Sequence, residues 1–177
     1  VLMYVLGYNR REALEPGRVG IIPIPVQQFM NVDSSTCIED GDERMVKPNC
    51  PVLLRVGVEN TPNHNQSFLS CMADLYAKER NLEKTPKLEE FRNTVVAALS
   101  LDVFVQLQNG TLVSQFSDKK VKMDDVSIDG YKDQKLYQNL DKREESQLSF
   151  LKHCIVSYEL FGSYLREPDA KLDHMLL

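Results

Sequence analysis

The chain has 177 residues, of which 42% are hydrophobic and 27% charged, the composition of an ordinary globular protein. At this length one domain can bury roughly two-thirds of the surface of the unfolded chain. The net charge of −5 argues against a polycation that is attracted to nucleic acid as a whole, although a local basic patch can act against the average. No apolar run approaches the roughly 20 residues that span a bilayer.

The first residues lack the basic region and the cleavage site of a signal peptide. The chain also starts on Val1 rather than on Met. We therefore expect residues 1–177 to be a single domain or an internal fragment of a much larger protein.

The first sixty or so residues favour short extended segments over helices. Residues 1–8 alternate weakly between apolar and polar side chains, and the two prolines in residues 20–25 exclude a central strand. Pro25 suits the first turn of a short helix that ends near residue 31, with Phe29 and Met30 facing inward. The apolar run at residues 52–58 predicts a buried extended segment.

Two polar stretches, residues 32–51 and 118–140, are predicted to be mobile connectors. The first is a loop of about 20 residues, a length that in a compact domain indicates function or mobility. The second mixes basic and acidic side chains. This charge balance favours a solvated connector over a phosphate-binding patch.

Three helices are predicted near residues 66–80, 86–99 and 142–166, because apolar side chains recur there at three- and four-residue steps. The buried face of the first helix is predicted to hold Phe68, Met72, Leu75 and Tyr76, with Cys71 alongside. Thr85 caps the second helix, with Pro86 at its first position. A capping box that starts at Asp141 opens the third.

Residues 101–116 fit two structures. The pair Asn109-Gly110 between apolar runs is typical of a type I′ hairpin. Leu101, Phe104 and Leu107 also fit a helix that ends with Gly110 in the left-handed conformation. We favour two helices joined by the glycine, so the predicted fold is α+β and mainly helical, with three main helices and a few short N-terminal strands.

The polar residues show no pattern of a catalytic or metal site. The cysteines and histidines lack the spacing of zinc ligands, and the chain has no phosphate-binding loop. Cys71 and His64 are the nearest approach to a nucleophile–base pair, but a cysteine on an apolar helix face is more typical of a core. We expect reduced thiols, no metal, no cofactor and no enzymatic activity.

Eight short motifs, taken in chain order, resemble the signatures of one family. They are residues 17–23 (GRVGIIP), 54–59 (LRVGVE), 66–71 (QSFLSC), 101–104 (LDVF), 108–113 (QNGTLV), 137–141 (YQNLD), 157–159 (SYE) and 172–174 (LDH). They resemble the large subunit of the poxvirus early transcription factor and its homologues in nucleocytoplasmic large DNA viruses. The similarity is greater to the giant-virus and iridovirus branch than to the poxvirus protein.

The resemblance implies a parent protein on the order of a thousand residues, far beyond the size of one domain. It also implies promoter recognition together with an ATPase small subunit, recruitment of viral RNA polymerase, and a location in the virion and in the viral factory of the host cytoplasm. No catalytic residue of the family transfers to these positions.

The resemblance therefore predicts a non-catalytic segment of a viral early transcription initiation factor that holds promoter-engaging and partner-subunit elements together. The alternative is a structural or interaction domain of a large virion protein without nucleic-acid contact. A third possibility, a secreted domain stabilised by disulfides, requires all four cysteines to be paired.

Five basic side chains are the candidate nucleic-acid contacts. They are Arg18, Arg55, Lys119, Lys120 and Lys122. A salt bridge between Arg55 and Glu59 is favoured over a phosphate contact, because surface arginines near acids commonly pair, and the same holds for Arg18. The aromatic side chains on the helical stripes are expected to pack in the core rather than to stack on bases. They are Phe68, Phe91, Phe104, Phe150 and Tyr158.

Overall fold

The computed structural model describes residues 3–7, 14–40, 42–58, 66–118 and 120–172. It is 53% helical, with a few short strands in two small sheets, which confirms the predicted α+β, mainly helical class. The chain divides into two compact units, an N-terminal unit (Val1–Asp74) and a C-terminal unit (Leu75–Leu177).

Two small antiparallel sheets form the framework of the N-terminal unit. Their strands are β1 (Met3–Tyr4), β2 (Val19–Ile21), β3 (Ile38–Glu39), β4 (Asp42–Val46) and β5 (Leu54–Val56). The first sheet has the order β1–β4–β3, and the second pairs β2 with β5. Buried side chains of Val5, Ile21 and Val46 form the core between them.

The apolar run at residues 52–58 is extended, as predicted, but only partly buried. Leu53 and Val56 are both exposed. The predicted burial of this run is therefore wrong for Leu53 and Val56.

Helix α1 (Ile24–Met30) has the opposite orientation to the predicted one. Phe29 and Met30 were expected to face inward, but they are 91% and 49% exposed, and the buried side chain is Gln27. Nε2 of Gln27 donates to the carbonyl oxygen of Ile22 at 2.7 Å, and Oε1 accepts from the backbone N–H of Ser34 at 3.0 Å. Buried backbone groups need such partners, and this need decides which face of the short helix turns inward.

Residues 32–51 contain regular structure. A 3₁₀ helix (Ser35–Cys37) leads into β3, and a disulfide joins Cys37 to Cys50, whose Cα atoms are 5.5 Å apart. The expectation of reduced thiols is wrong for this pair, because the β3–β4 hairpin brings the two residues together. Cys71 and Cys154 are free, so the four cysteines are not all paired. The predicted mobility of both connectors stays a prediction.

Six further helices follow in chain order. They are α2 (Ser67–Glu79), α3 (Leu88–Ala98), α4 (Leu101–Phe104), α5 (Thr111–Gln115), α6 (Lys135–Asn139) and α7 (Glu145–Arg166). Helices α2, α3 and α7 confirm the three predicted helices. Their caps differ from the prediction: Lys87 precedes α3, and Glu144 precedes α7. Asp141 accepts from the backbone N–H of Arg143 at 3.0 Å, which places Asp141 in a turn ahead of α7.

The buried face of α2 is not the predicted one. Leu69, Ala73 and Ala77 are buried, whereas Met72 and Leu75 are exposed. Cys71 is exposed as well, so its interpretation as a core cysteine is wrong. Both sets of side chains recur at three- and four-residue steps, so spacing alone does not choose between them. The structure buries the set that contains two alanines.

Helix α7 is the central element of the C-terminal unit, and α3, α4 and α5 all pack against it. Its buried side chains include Leu151, Ile155 and Phe161. The ring centroid of Phe161 lies 5.3 Å from that of Phe104 and 4.9 Å from that of Phe116. Phe150, on the outer side of α7, is exposed, so its predicted place in the core is wrong.

Residues 101–116 are helical and do not form a hairpin. After α4, Gln108, Asn109 and Gly110 have φ values of 48°, 55° and 84°, and α5 begins at the next residue. The left-handed Gly110 and the two flanking helices are thus confirmed. This arrangement buries Phe104 and Leu112, which lie on elements that pack against α7.

The Leu151→Ala variant should lose about 2–5 kcal/mol of unfolding free energy, because it leaves a cavity in the core beside α7. Phe150→Ala removes an exposed neighbour on the same helix and is the matched control. The measurement is chemical denaturation of both variants. Equal midpoints for Leu151→Ala and the parent chain would contradict this packing of α7.

The disulfide predicts a definite thiol count. An aromatic disulfide reagent should titrate two thiols, Cys71 and Cys154, in the denatured and unreduced chain. In the native chain Cys71 should react first, because burial raises the pKa of the Cys154 thiol to about 11 and the thiolate is the nucleophile. Four reactive thiols before reduction would show that Cys37 and Cys50 are not joined.

Candidate functional site

Two of the predicted nucleic-acid contacts, Arg18 and Arg55, lie on the β2–β5 pair. Gly20 is the register partner of Arg55, and the backbone N–H of Gly57 donates to the carbonyl oxygen of Arg18 at 2.8 Å. The pairing therefore continues one residue beyond β2. Alternate residues of a strand face the same side, so Arg18 and Arg55 are diagonal neighbours on one face.

Small residues shape this arginine face. A Cβ atom at Gly20 would lie 3.2 Å from Nε of Arg55, so the arginine side chain lies over the glycine. A Cβ atom at Gly57 would collide with the carbonyl oxygen of Glu15. Gly57 is therefore needed for the close approach of these segments, whereas a side chain at Gly20 would require its neighbours to shift by a few tenths of an ångström. Glu59, the predicted salt-bridge partner of Arg55, lies outside the described residues.

The lysine cluster belongs to the other unit. Lys120 and Lys122 are exposed, and Lys119 lies outside the described residues. The backbone N–H of Lys120 donates to Oδ1 of Asp118 at 2.8 Å. Asp124 and Asp125 follow on a short 3₁₀ helix (Met123–Asp125). Carboxylates therefore flank the cluster on both sides in the chain, which lowers its attraction for phosphate.

The motif residues of the C-terminal unit contact one another. The hydroxyl of Ser157, which is fully buried, donates to the carbonyl oxygen of Val113 at 2.8 Å. The hydroxyl of Tyr158 donates to the carbonyl oxygen of Leu99 at 2.9 Å, and its ring lies 5.9 Å from that of Phe104. The motif at residues 157–159, which lies on α7, therefore contacts the motifs at residues 101–104 and 108–113.

Asp102, in the motif 101–104, stabilises the first turn of α6. Its two carboxylate oxygens accept from the backbone N–H groups of Lys135 and Leu136, at 2.8 Å each. A carboxylate at this place satisfies N–H groups that have no partner within the helix and complements the helix dipole. The motif 137–141 begins two residues later, so this contact orders it as well.

Glu159, the last residue of the motif 157–159, accepts from the hydroxyl of Tyr131 at 2.9 Å. Burial raises the pKa of Tyr131 well above its ordinary value, and the hydrogen bond to Glu159 raises it further. The tyrosine therefore stays a neutral donor. It ties the segment before α6 to α7.

Sequence reasoning did not single out Arg92 of α3. The residue is 2% exposed, and its guanidinium donates to the carbonyl oxygens of Leu165 at 2.8 Å and Ala170 at 2.9 Å. The carbonyl of Leu165 lies in the last turn of α7, where cations complement the helix dipole, and that of Ala170 lies four residues after the helix. Burial lowers the pKa of Arg92, yet an arginine stays charged. The available signal was an arginine directly after Phe91 within the buried stripe of α3.

A cleft of about 600 Å³ lies beside α1. It is lined by Ile24, Gln27, Gln28, Asn31, Val32, Asp33, Ser35 and Ile38. Asp33 accepts from the backbone N–H of Ser35 at 2.8 Å, and this hydrogen bond lowers the pKa of the carboxyl group. The cleft thus combines amide groups and one carboxylate with three aliphatic side chains.

The residues that the structure describes contain no group of three or more His, Cys, Asp or Glu side chains that could hold a metal ion. In the same part of the chain, no helix is both long enough and apolar enough to cross a membrane. His64 lies outside the described residues, so the pair that it would form with Cys71 has no described geometry. No protein-family model, curated protein or solved structure matches this chain.

The Arg92→Met variant should lose about 1–3 kcal/mol of unfolding free energy, because the carbonyl oxygens of Leu165 and Ala170 lose a charged donor. Arg143→Met, at an exposed position, is the control. Thermal and denaturant unfolding of both variants provide the measurement. An Arg92→Met variant as stable as the Arg143→Met variant would contradict a structural role of this arginine.

Proposed function

We propose that this chain is a non-catalytic segment of a viral early transcription initiation factor and that it holds promoter-engaging and partner-subunit elements in place. One observation carries this function: the residues on which the family resemblance depends pack against each other. Ser157, Phe104 and Leu112 are fully buried and belong to three separate motifs.

Buried motif residues support a scaffold more than a reactive surface. A side chain with no exposed area cannot touch DNA, substrate or a partner, so its contribution is to fix the positions of its neighbours. Asp102 and Glu159 act in the same way from the surface, through hydrogen bonds that join α4 to α6 and Tyr131 to α7.

The motifs of the N-terminal unit also support a structural use. Residues 17–23 and 54–58 form β2, β5 and the turns beside them, and their glycines permit close backbone contact. Arg18 and Arg55 are the exception, since they place two cations on one face of this pair. These two arginines are the candidate phosphate contacts of the N-terminal unit, with salt bridges to nearby acids as the favoured alternative.

In this function the chain performs no reaction and needs no cofactor. The buried Cys154 has a raised pKa, which makes it a poor nucleophile. Asp124 and Asp125 are exposed on a short 3₁₀ helix. Turnover of ATP or DNA by the purified chain, abolished by a point change within it, would overturn this assignment.

The partners are those that the resemblance implies. They are the ATPase small subunit, viral RNA polymerase and, through the whole protein, promoter DNA, in the virion and in the viral factory of the host cytoplasm. The carboxylates beside Lys120 and Lys122 favour the second candidate, a structural domain of a virion protein without nucleic-acid contact. The two candidates differ in what they predict for DNA.

A scaffold segment should bind duplex DNA weakly and with a shallow dependence on salt. Each phosphate contact contributes about 0.9 to the slope of log K against log salt, so a few lysines give a small slope. The measurement is a titration of an early-promoter duplex and a scrambled duplex at two salt concentrations. The variant carries Lys119→Glu, Lys120→Glu and Lys122→Glu, and the control carries Lys84→Glu, Lys135→Glu and Lys171→Glu.

Weak binding that falls only in the first variant would place the DNA contact in the lysine cluster. Equal loss in both variants would indicate general electrostatics, and no binding at all would favour the structural domain of a virion protein. Submicromolar, sequence-selective binding by this chain alone would overturn the scaffold function. A second arm mixes the chain with the purified ATPase small subunit, and a stable complex is the expected result.

A further inference from the structure

Helix α1 carries three apolar side chains on one side that faces solvent, while Ile24 lines the cleft on the other side. Val26, Phe29 and Met30 follow one another at steps of three and one, so they occupy one helical face. They are 42%, 91% and 49% exposed. The usual amphipathic arrangement is reversed here, because an apolar face normally turns toward the core.

The reversed orientation is fixed by hydrogen bonds on the inner face. Gln27 is bonded to Ile22 on one side of α1 and to Ser34 on the other. Asn31 closes the helix in a left-handed conformation, with φ 53°, and its N–H donates to the carbonyl oxygen of Gln28. Rotating α1 to bury Phe29 would break the bonds of Gln27 and leave buried polar groups without partners.

The charge of the segment restricts what can cover this face. Residues 19–32 contain no charged side chain. Nucleic acid is therefore unsuitable, because it is bound through cations. A membrane surface is unsuitable as well, because helices that lie in the lipid interface carry Lys and Arg on their polar face. The class of partner that remains is a protein with an apolar surface that has no net charge.

The area of the apolar face of α1 indicates whether it binds a second copy of the chain or a groove on another protein. Three partly exposed side chains offer a few hundred Å² at most, whereas a standard interface needs roughly 800 Å² from each partner. Two convex helices that face each other fall short of this area. A groove reaches around the sides of a helix and adds contacts with its walls.

We infer that α1 docks, through Val26, Phe29 and Met30, into an apolar groove on a partner protein. Anchors at the first, fourth and fifth positions of a helical stretch match the helix-in-groove mode of recognition. The inference deepens the proposed function and rests on it in one respect, since both require a protein partner.

The test starts with a photoreactive probe. The amino acid p-benzoylphenylalanine is placed at position 29 of the full chain, and at position 28 in the control. Gln28 lines the cleft on the other side of α1. Both chains are irradiated in the cells in which the protein is naturally made. The protein that crosslinks to position 29, and not to position 28, is then identified and purified.

The decisive measurement is a titration of the purified partner with the chain and its variants. We expect a one-to-one complex whose Kd rises about tenfold or more in Phe29→Ser, as for a central interface anchor. Gln28→Ser should leave the Kd unchanged. The Kd should also change little between about 0.1 M and 1 M salt, because no charge takes part.

Two controls keep this result interpretable. Phe29→Ser should leave the melting temperature of the isolated chain unchanged, because the side chain is 91% exposed. A large fall would show that Phe29 is a core residue and would overturn the inference. The isolated chain should sediment as a monomer and should not float with phosphatidylcholine or phosphatidylserine vesicles. Dimerisation or vesicle binding that Phe29→Ser abolishes would identify another occupant and would also overturn it.

The remaining outcomes separate the inference from the proposed function. If the chain binds the ATPase small subunit equally well with and without Phe29→Ser, and no crosslink forms from position 29, the docking role of α1 is wrong while the proposed function stands. If the chain binds neither the small subunit nor any crosslinked protein, both are wrong.

Discussion

The buried guanidinium of Arg92 holds α3 against the C-terminal end of α7. Its two nearest carbonyl acceptors, Leu165 and Ala170, lie 73 and 78 residues further along the chain, and the carbonyl oxygen of Pro168 lies at 3.5 Å. A buried cation is tolerated only where its donors are satisfied, so this contact fixes the position of the end of α7. Ser157, which donates to Val113, and Tyr158, whose ring contacts Phe104, lie on the same helix. The motifs of the C-terminal unit are thus ordered around a helix whose end is held by one charge.

The sequence predicts the long helices well because their apolar period extends over several turns. It predicts their details less well. Thr85 and Asp141 have good capping chemistry, yet the helices begin later. The backbone N–H of Lys87 donates to Glu90 at the start of α3, and Asp141 accepts from Arg143 in the turn ahead of α7. On α2 two sets of side chains have helical spacing, and the one with Ala73 and Ala77 is buried. Spacing identifies a helix, but the face that it buries depends on neighbours that are distant in sequence.

The positions of the candidate nucleic-acid contacts likewise depend on residues that are distant in sequence. Arg18 and Arg55 are neighbours because of the register between β2 and β5, and the fit of Gly57 beside Glu15 belongs to that register. The periodicity of apolar residues in the sequence does not reveal this register. The disulfide likewise depends on the β3–β4 hairpin, which the sequence does not reveal in a polar loop. Arg92 was missed because a single arginine in a helical stripe is usually solvated at its tip.

Helix α1 marks the place where the amphipathic rule itself fails, and the failure has a physical cause. The rule treats the interior as a place for apolar groups only. Near α1 the interior also contains the carbonyl of Ile22 and the N–H of Ser34, and one buried glutamine satisfies both. Phe29 then has no place inside. Sequence-level rules such as amphipathicity fail most often at functional sites. The motifs stop at residue 23 and resume at residue 54, so α1 lies between the two segments that form the β2–β5 pair. In the proposed scaffold, α1 is therefore not part of the motifs, and its apolar face is available to bind a partner.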